Sequence, residues 1–172
     1  LQRAGGVPVT LPGSEVYTSL QTGVIDAVEW VSPFNDLALG LQTVATYYYF
    51  PGWHEPGTTL EAIVNKEAWN ALPDDLKAIL ESASRAVNAD LLDELTAKNA
   101  ASLQTLVDDH GVQIRELPED VVRRLREISH DVVEEAGKGT ELSMRIHKSY
   151  TEFLDRSRAY HEITEKAYLE AR

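Results

Sequence analysis

The chain has 172 residues, 43% of them hydrophobic and 26% charged, with a formal net charge of −12. That is the composition of a globular domain with a real core. The acidic balance and the lack of a Lys/Arg stripe argue against nucleic acid and against an anionic membrane surface. The absence of cysteine excludes disulfides, thiolate metal sites and cysteine nucleophiles. A small anionic ligand stays compatible with the charge, because one Arg or a row of backbone N–H groups can hold a carboxylate. No apolar stretch reaches the roughly 20 residues of a membrane-spanning helix. The sequence opens Leu1-Gln2-Arg3-Ala4-Gly5-Gly6 with no Met, basic region or apolar signal core. A leader therefore does not reveal the compartment, and a processed, excised or truncated chain is expected.

In chain order, Val7 to Leu11 is a short β-rich run, and Pro12-Gly13-Ser14-Glu15 is a turn with Ser14 as the expected N-cap. A short helix through Val16 and Leu20 stops at Gly23. Val24 to Trp30 reads as a strand, giving a strand–helix–strand unit with a parallel pair. Ser32 and Pro33 open a helix that ends near Gly40. Thr43 to Phe50 is aromatic and β-rich, the segment 51–57 is a Pro/Gly-bracketed loop, and 58–65 reads as another strand. Lys66 to Leu72 is a short helix, and Pro73 opens a very long one that stops near His110-Gly111. Val112 to Glu116 alternates as a strand, and Pro118 opens a helix ending at Gly137-Lys138-Gly139. Thr140 to Arg172 is one continuous helical pattern, with Leu142, Ile146, Tyr150, Phe153, Tyr160, Ile163 and Ala167 on one apolar stripe. So few strands, some of them strongly apolar, suggest that partner strands are missing from the chain.

Motifs for enzyme chemistry are weak. His54 beside Glu55 has no second His at ligand spacing. His110, His130, His147 and His161 read as surface residues. Ser14 is not in a Gly-x-Ser-x-Gly elbow, and Gly5-Gly6 lacks the spacing of a phosphate loop.

Residues 11–30 carry a resemblance. Leu11-Pro12-Gly13-Ser14-Glu15 followed by Leu20-Gln21-Thr22-Gly23-Val24-Ile25-Asp26 resembles a segment of TRAP transporter substrate-binding proteins. Trp53-His54-Glu55 before Leu60 to Asn65, Ala71-Leu72-Pro73 opening a long helix, and the final helix are similar to that family too. The match is to its C-terminal half, nearest the branch that binds keto or hydroxy acids. It implies an α/β fold: the helix-rich portion of a two-lobed periplasmic-binding-protein-like fold, with a small mixed sheet and long C-terminal helices. Residues 1–65 would form part of the ligand cleft, 66–139 would pack on the lobe, and 140–172 would be the C-terminal helix and a homodimer element.

The resemblance also implies the site. Glu29 would be a cleft carboxylate on a cation, Trp30 would offer its ring to the substrate or its carbonyl to the cation, and Glu55 would be a second carboxylate ligand. Apart from the resemblance, Asn35 and Asp36 at the start of the next helix could reach the cleft, although polar groups at a helix N-terminus more often cap than bind. Two carboxylates and carbonyl oxygens make a hard site for a Ca or Na ion bridging to a small organic acid. The family's carboxylate-clamping Arg lies upstream of the matched region, and Arg3 is not assigned to it. The bland alternative stays open: Glu29 and Glu55 as solvated strand-end residues and Trp30 as core. A periplasmic, non-enzymatic receptor that hands its ligand to TRAP membrane permease subunits is the leading expectation. A helical oligomerisation module without ligand binding is the alternative, and a metal-dependent hydrolase using Glu29, His54 and Glu55 ranks last.

Overall fold

A computed structural model describes residues 1–53, 57 and 60–172. The chain forms two compact units, Val9–Leu117 and a smaller one made of Leu1–Pro8 with Pro118–Arg172.

In the larger unit, α1 is Gly13–Gln21, α2 is Pro33–Leu39, β1 is Tyr47–Phe50, α3 is Lys66–Ala71, α4 is Asp74–Asp108 and β2 is Gln113–Glu116. The end of α1 shows how the sequence dictates local structure. Gly23 takes φ +73, and its N–H and that of Val24 turn back onto the carbonyls of Leu20 and Ser19, at 3.2 and 2.9 Å. This is a Schellman closure, which needs a left-handed residue that glycine supplies without a Cβ clash. It also uses the first amides of the expected strand at Val24–Trp30, and no strand forms there. Helix α1 begins at Gly13 with Pro12 as its N-cap residue, so Ser14 lies inside the helix instead of capping it. Helix α2 starts with Ser32 and Pro33 at the expected positions and ends at Gly40.

Strands β1 and β2 pair in parallel, Tyr47 opposite Gln113 through Phe50 opposite Glu116. The ladder is extended by Gln113 N–H to the Thr46 carbonyl at 2.9 Å and Leu117 N–H to the Phe50 carbonyl at 2.8 Å. Among the described residues this two-stranded parallel sheet takes the place of the expected mixed one. Val7–Leu11 and 60–65 are not strands either, and Val7, Val24 and Ile63 are 88%, 73% and 86% exposed. β-rich composition supplies side chains suited to a pleat, but a strand also needs a hydrogen-bonded neighbour.

Helix α4 has 35 residues, about 52 Å at 1.5 Å per residue. Its C-terminal part carries the buried Ser102 and Leu106, while Leu76, Ile79 and Val87 near its start are exposed. The core of this unit comprises Val16, Leu41, Leu106 and Val112.

The smaller unit holds α5, Glu119–Gly137, α6, Glu141–Glu162, and α7, Glu165–Glu170. Leu125 and Ile128 on α5 are buried. Thr140 caps α6, its Oγ1 accepting from Ser143 N–H at 3.0 Å. Arg3 makes a two-pronged ion pair with Glu135 at 2.9 and 2.6 Å, which ties the N-terminal segment to α5. His147 is half-buried, 3.0 Å from Glu134, whereas His110, His130 and His161 are exposed as expected. The terminal segment is two helices, not one. At Ile163-Thr164 the amides bond three residues back, and Thr164 leaves helical geometry at φ −118 and ψ −103. Two adjacent β-branched residues, with little rotamer freedom in a helix, make that a favourable place to break.

Leu106 is 2% exposed. Leu106→Ala should destabilise the fold by about 2–5 kcal/mol, read as a lower urea midpoint with an unchanged slope.

Candidate functional site

Of the residues singled out by sequence, Glu29, Trp30, Asn35 and Asp36 fall in the larger unit, in the loop between α1 and α2 and the first turn of α2. The Schellman closure of α1 directs the chain into this loop. Trp30, 36% exposed, lays its ring on the start of α1. A Cβ placed on Gly13 would lie 2.7 Å from Trp30 Cη2, so glycine is what lets the ring approach. Ser32 Oγ donates to Asn35 Oδ1 at 2.9 Å, which turns the Asn35 side chain back over the first turn of α2. The Phe34 N–H donates to Asn99 Oδ1 at 3.0 Å, and Lys98 Nζ stands 4.7 Å over the Phe34 ring. These two contacts fasten α2 to α4.

Asp36 is the buried charge of the site, 7% exposed. Its Oδ2 accepts a 2.6 Å hydrogen bond from the Tyr48 hydroxyl of β1, while Oδ1 has no hydrogen-bond partner. Burial pushes the Asp36 carboxyl up from the ordinary carboxylate range, against the pull of Tyr48 and the backbone N–H groups of Val31 and Ser32. Burial, and then Asp36, push the Tyr48 phenol above its usual range. The negative charge of Glu29 raises both, so the structure brings Glu29, Asp36 and Tyr48 within one electrostatic neighbourhood. Glu29 itself is exposed. Glu55, the second expected carboxylate, and His54 lie outside the described residues. Arg3 belongs to the other unit, paired with Glu135.

Glu29, Asn35 and Asp36, close in sequence on this loop and the start of α2, carry oxygen donors. That chemistry fits a hard cation. Among the described residues no three ionisable ligand groups cluster. A sphere of the usual 6–8 oxygens would need carbonyls, a bound acid and Glu55 as well.

Sequence reasoning weighed Tyr47 to Phe50 together, as pocket lining or as sheet packing, without singling out Tyr48; it gave Gly13 no packing role and passed over Asn99. Tyr48 had a signal: in an alternating strand it faces opposite to Tyr47 and Tyr49, which are exposed. Asn99 had none, because it comes from a helix far along the chain.

A phenol whose proton is held more tightly in the folded state stabilises the fold below the ordinary phenol range. That contribution is lost as pH rises through the raised value. The stability gap between the wild type and Tyr48→Phe should therefore shrink above about pH 10, measured by urea unfolding across an alkaline series.

The chain matches the family model described as bacterial extracellular solute-binding protein, family 7, over residues 1–139. It is 44% identical over 99 residues to the monocarboxylate 2-oxoacid-binding periplasmic protein of a Nostoc species, covering 58% of this chain and 27% of that one. It is 37% identical over 79 residues to the C4-dicarboxylate-binding periplasmic protein of Rhodobacter capsulatus, covering 46% and 23%. A TRAP transporter solute binding protein from Bordetella bronchiseptica superposes with a TM-score of 0.94 at 29% identity, over 99% of this chain and 50% of that one. That protein is a mixed occupancy dimer, with copurified calcium and picolinate in one active site and the other site apo. One from Chromohalobacter salexigens shares the fold, with a TM-score of 0.72 at 20% identity, over 92% of this chain and 49% of that one. The chain thus spans about half the length of these solved relatives. It belongs to family 7 of the bacterial extracellular solute-binding proteins.

Proposed function

We propose that this chain supplies part of the ligand cleft of a periplasmic TRAP-type receptor that binds a small 2-oxo or 2-hydroxy acid and delivers it to membrane permease subunits. The observation that carries the reading is the likeness, along nearly the whole chain, to a protein holding calcium and picolinate. Picolinate and a 2-oxoacid share one feature: a carboxylate oxygen with a second donor, ring nitrogen or keto oxygen, beside it. Both atoms can close a five-membered chelate on one hard cation. In this chain Glu29, the Trp30 carbonyl and Glu55 would hold the cation. Trp30 and Asn35 would border the acid, and the cation would offset the protein's own negative charge. Binding and release need no bond to be made or broken, so the protein acts as a carrier and not as a catalyst.

Titration calorimetry with pyruvate tests this. Saturable heat should appear with calcium and vanish after chelation. Glu29→Gln should weaken binding roughly tenfold or more, the worth of a charge-assisted contact of about 1.5–3 kcal/mol. Turnover of the acid, or no saturable heat with 2-oxoacids or C4-dicarboxylates, would sink the reading.

A second copy of the chain is the proposed occupant of the α6 stripe. Leu142, Ile146, Tyr150 and Phe153 are 60%, 60%, 56% and 64% exposed and line one open groove with Arg145 and Ser149. Such a continuous apolar face favours association. The dimer of the Bordetella protein supports the same reading. Light scattering should give twice the chain mass for the wild type and a single mass for Ile146→Glu. A wild type of single mass would contradict it.

A further inference from the structure

We infer that the missing side chain at Gly13 is a size filter: it lets the Trp30 ring seat against the start of α1, and the seated ring sets how large a 2-oxoacid the space in front of it admits. The inference rests on the reading above, in which Trp30 borders the acid.

Backbone geometry does not call for glycine at this position. Gly13 is the first residue of α1 and is not one of the glycines with positive φ. Gly23 and Gly40 differ, since both take left-handed backbone where a helix ends. What calls for glycine at position 13 is the ring. A Cβ there would stand 2.7 Å from Trp30 Cη2, 3.4 Å from Cζ3 and 3.7 Å from Cζ2. Carbon atoms in contact settle at about 3.5–4.0 Å, so an alanine would drive the outer edge of the ring back by roughly 1 Å.

The helix is the less yielding partner in that clash. Gly13 shares a face of α1 with Val16 and Tyr17, which follow it at the spacing of one helical turn. Val16 is buried, and the Tyr17 hydroxyl shares a 3.0 Å hydrogen bond with Thr43 Oγ1, so this face is anchored in the unit. The Glu15 N–H closes the first turn on the Pro12 carbonyl at 2.8 Å. The ring, by contrast, hangs on two side-chain torsions. The atoms that meet Gly13 are those of its outer six-membered ring, farthest from the Trp30 backbone. Trp30 also keeps 36% exposure, which leaves the ring room to move. A side chain at position 13 therefore spares the fold and displaces the ring into the space that the reading gives to the acid. A larger acid loses more from that displacement than a small one.

The test uses the whole chain labelled with fluorotryptophan. Trp30 is one of three tryptophans, and its fluorine line is the one that Trp30→Phe removes. Gly13→Ala should move that line, leave the line of Trp69 on α3 in place and keep the urea midpoint. Calorimetry with calcium then compares pyruvate with 2-oxoisovalerate. Gly13→Ala should weaken the larger acid roughly tenfold more than pyruvate, the scale on which an apolar pocket resolves a small difference in side-chain size. In a Trp30→Phe background the outer ring is gone, so adding Gly13→Ala should no longer alter the ratio of the two affinities. An unmoved Trp30 line, a lowered urea midpoint, an equal loss for the two acids or a full effect in the Trp30→Phe background would each overturn the inference. A wild type that binds neither acid would sink the reading of function and the filter together. A wild type that binds both, with a ratio that Gly13→Ala does not change, would sink the filter alone.

Discussion

The hydrogen bond from Tyr48 to Asp36 joins a strand to a helix within the larger unit. It does so at a carboxyl removed from water, where a charge is tolerable only if it is paired or hydrogen-bonded. Because that carboxyl sits in the first turn of α2, the bond also fixes where the preceding loop ends and where Phe34 meets Asn99. The placement of Glu29 and Trp30 follows from the two ends of that loop, the Gly23 closure on one side and Asp36 on the other. Loosening either end would shift Glu29 and Trp30, because both lie between these two anchors.

Helices were legible because their signals are local. Pro33 and Pro118 opened helices, and Gly23 and Gly40 closed them, where their backbone preferences require. Strands were less so. Val24–Trp30 has the composition of a strand, yet its first amides serve the end of α1. The segment 60–65 likewise has apolar side chains and no ladder. Pairing is a property of two segments, and a single segment's sequence does not contain it. The break at Ile163-Thr164 sat inside an unbroken apolar stripe, so periodicity hid it, although two successive β-branched residues were the clue.

The site divides in the same way. Glu29 and Trp30 were named from a resemblance and expected at a strand end, but they lie in the loop between α1 and α2; Asn35 lies at the start of α2 as expected. Asp36 stood in view as a polar residue near a helix start, but its burial depends on β1 folding against α2. Tyr48 lay within a run of aromatics whose two faces look alike until one of them is covered. What the sequence lacked was the tertiary contact that makes one tyrosine of three matter.

The parallel pairing of β1 with β2 has a consequence for how the larger unit assembles. Between them lie α3 and the 35 residues of α4. Contacts this remote in sequence form slowly, because chain entropy is lost before any pairing repays it. A helix changes that balance. Once α4 has formed from its own local bonds, the flexible part of the connection is much shorter than the chain length suggests. The close of α4 already brings β2 along, since Val112 N–H bonds the Leu106 carbonyl at 3.0 Å, so the strand pairing is the part that waits on the α4 segment. The Tyr48–Asp36 bond depends on β1 being in place, so the end of the loop before α2 is coupled to that long-range pairing.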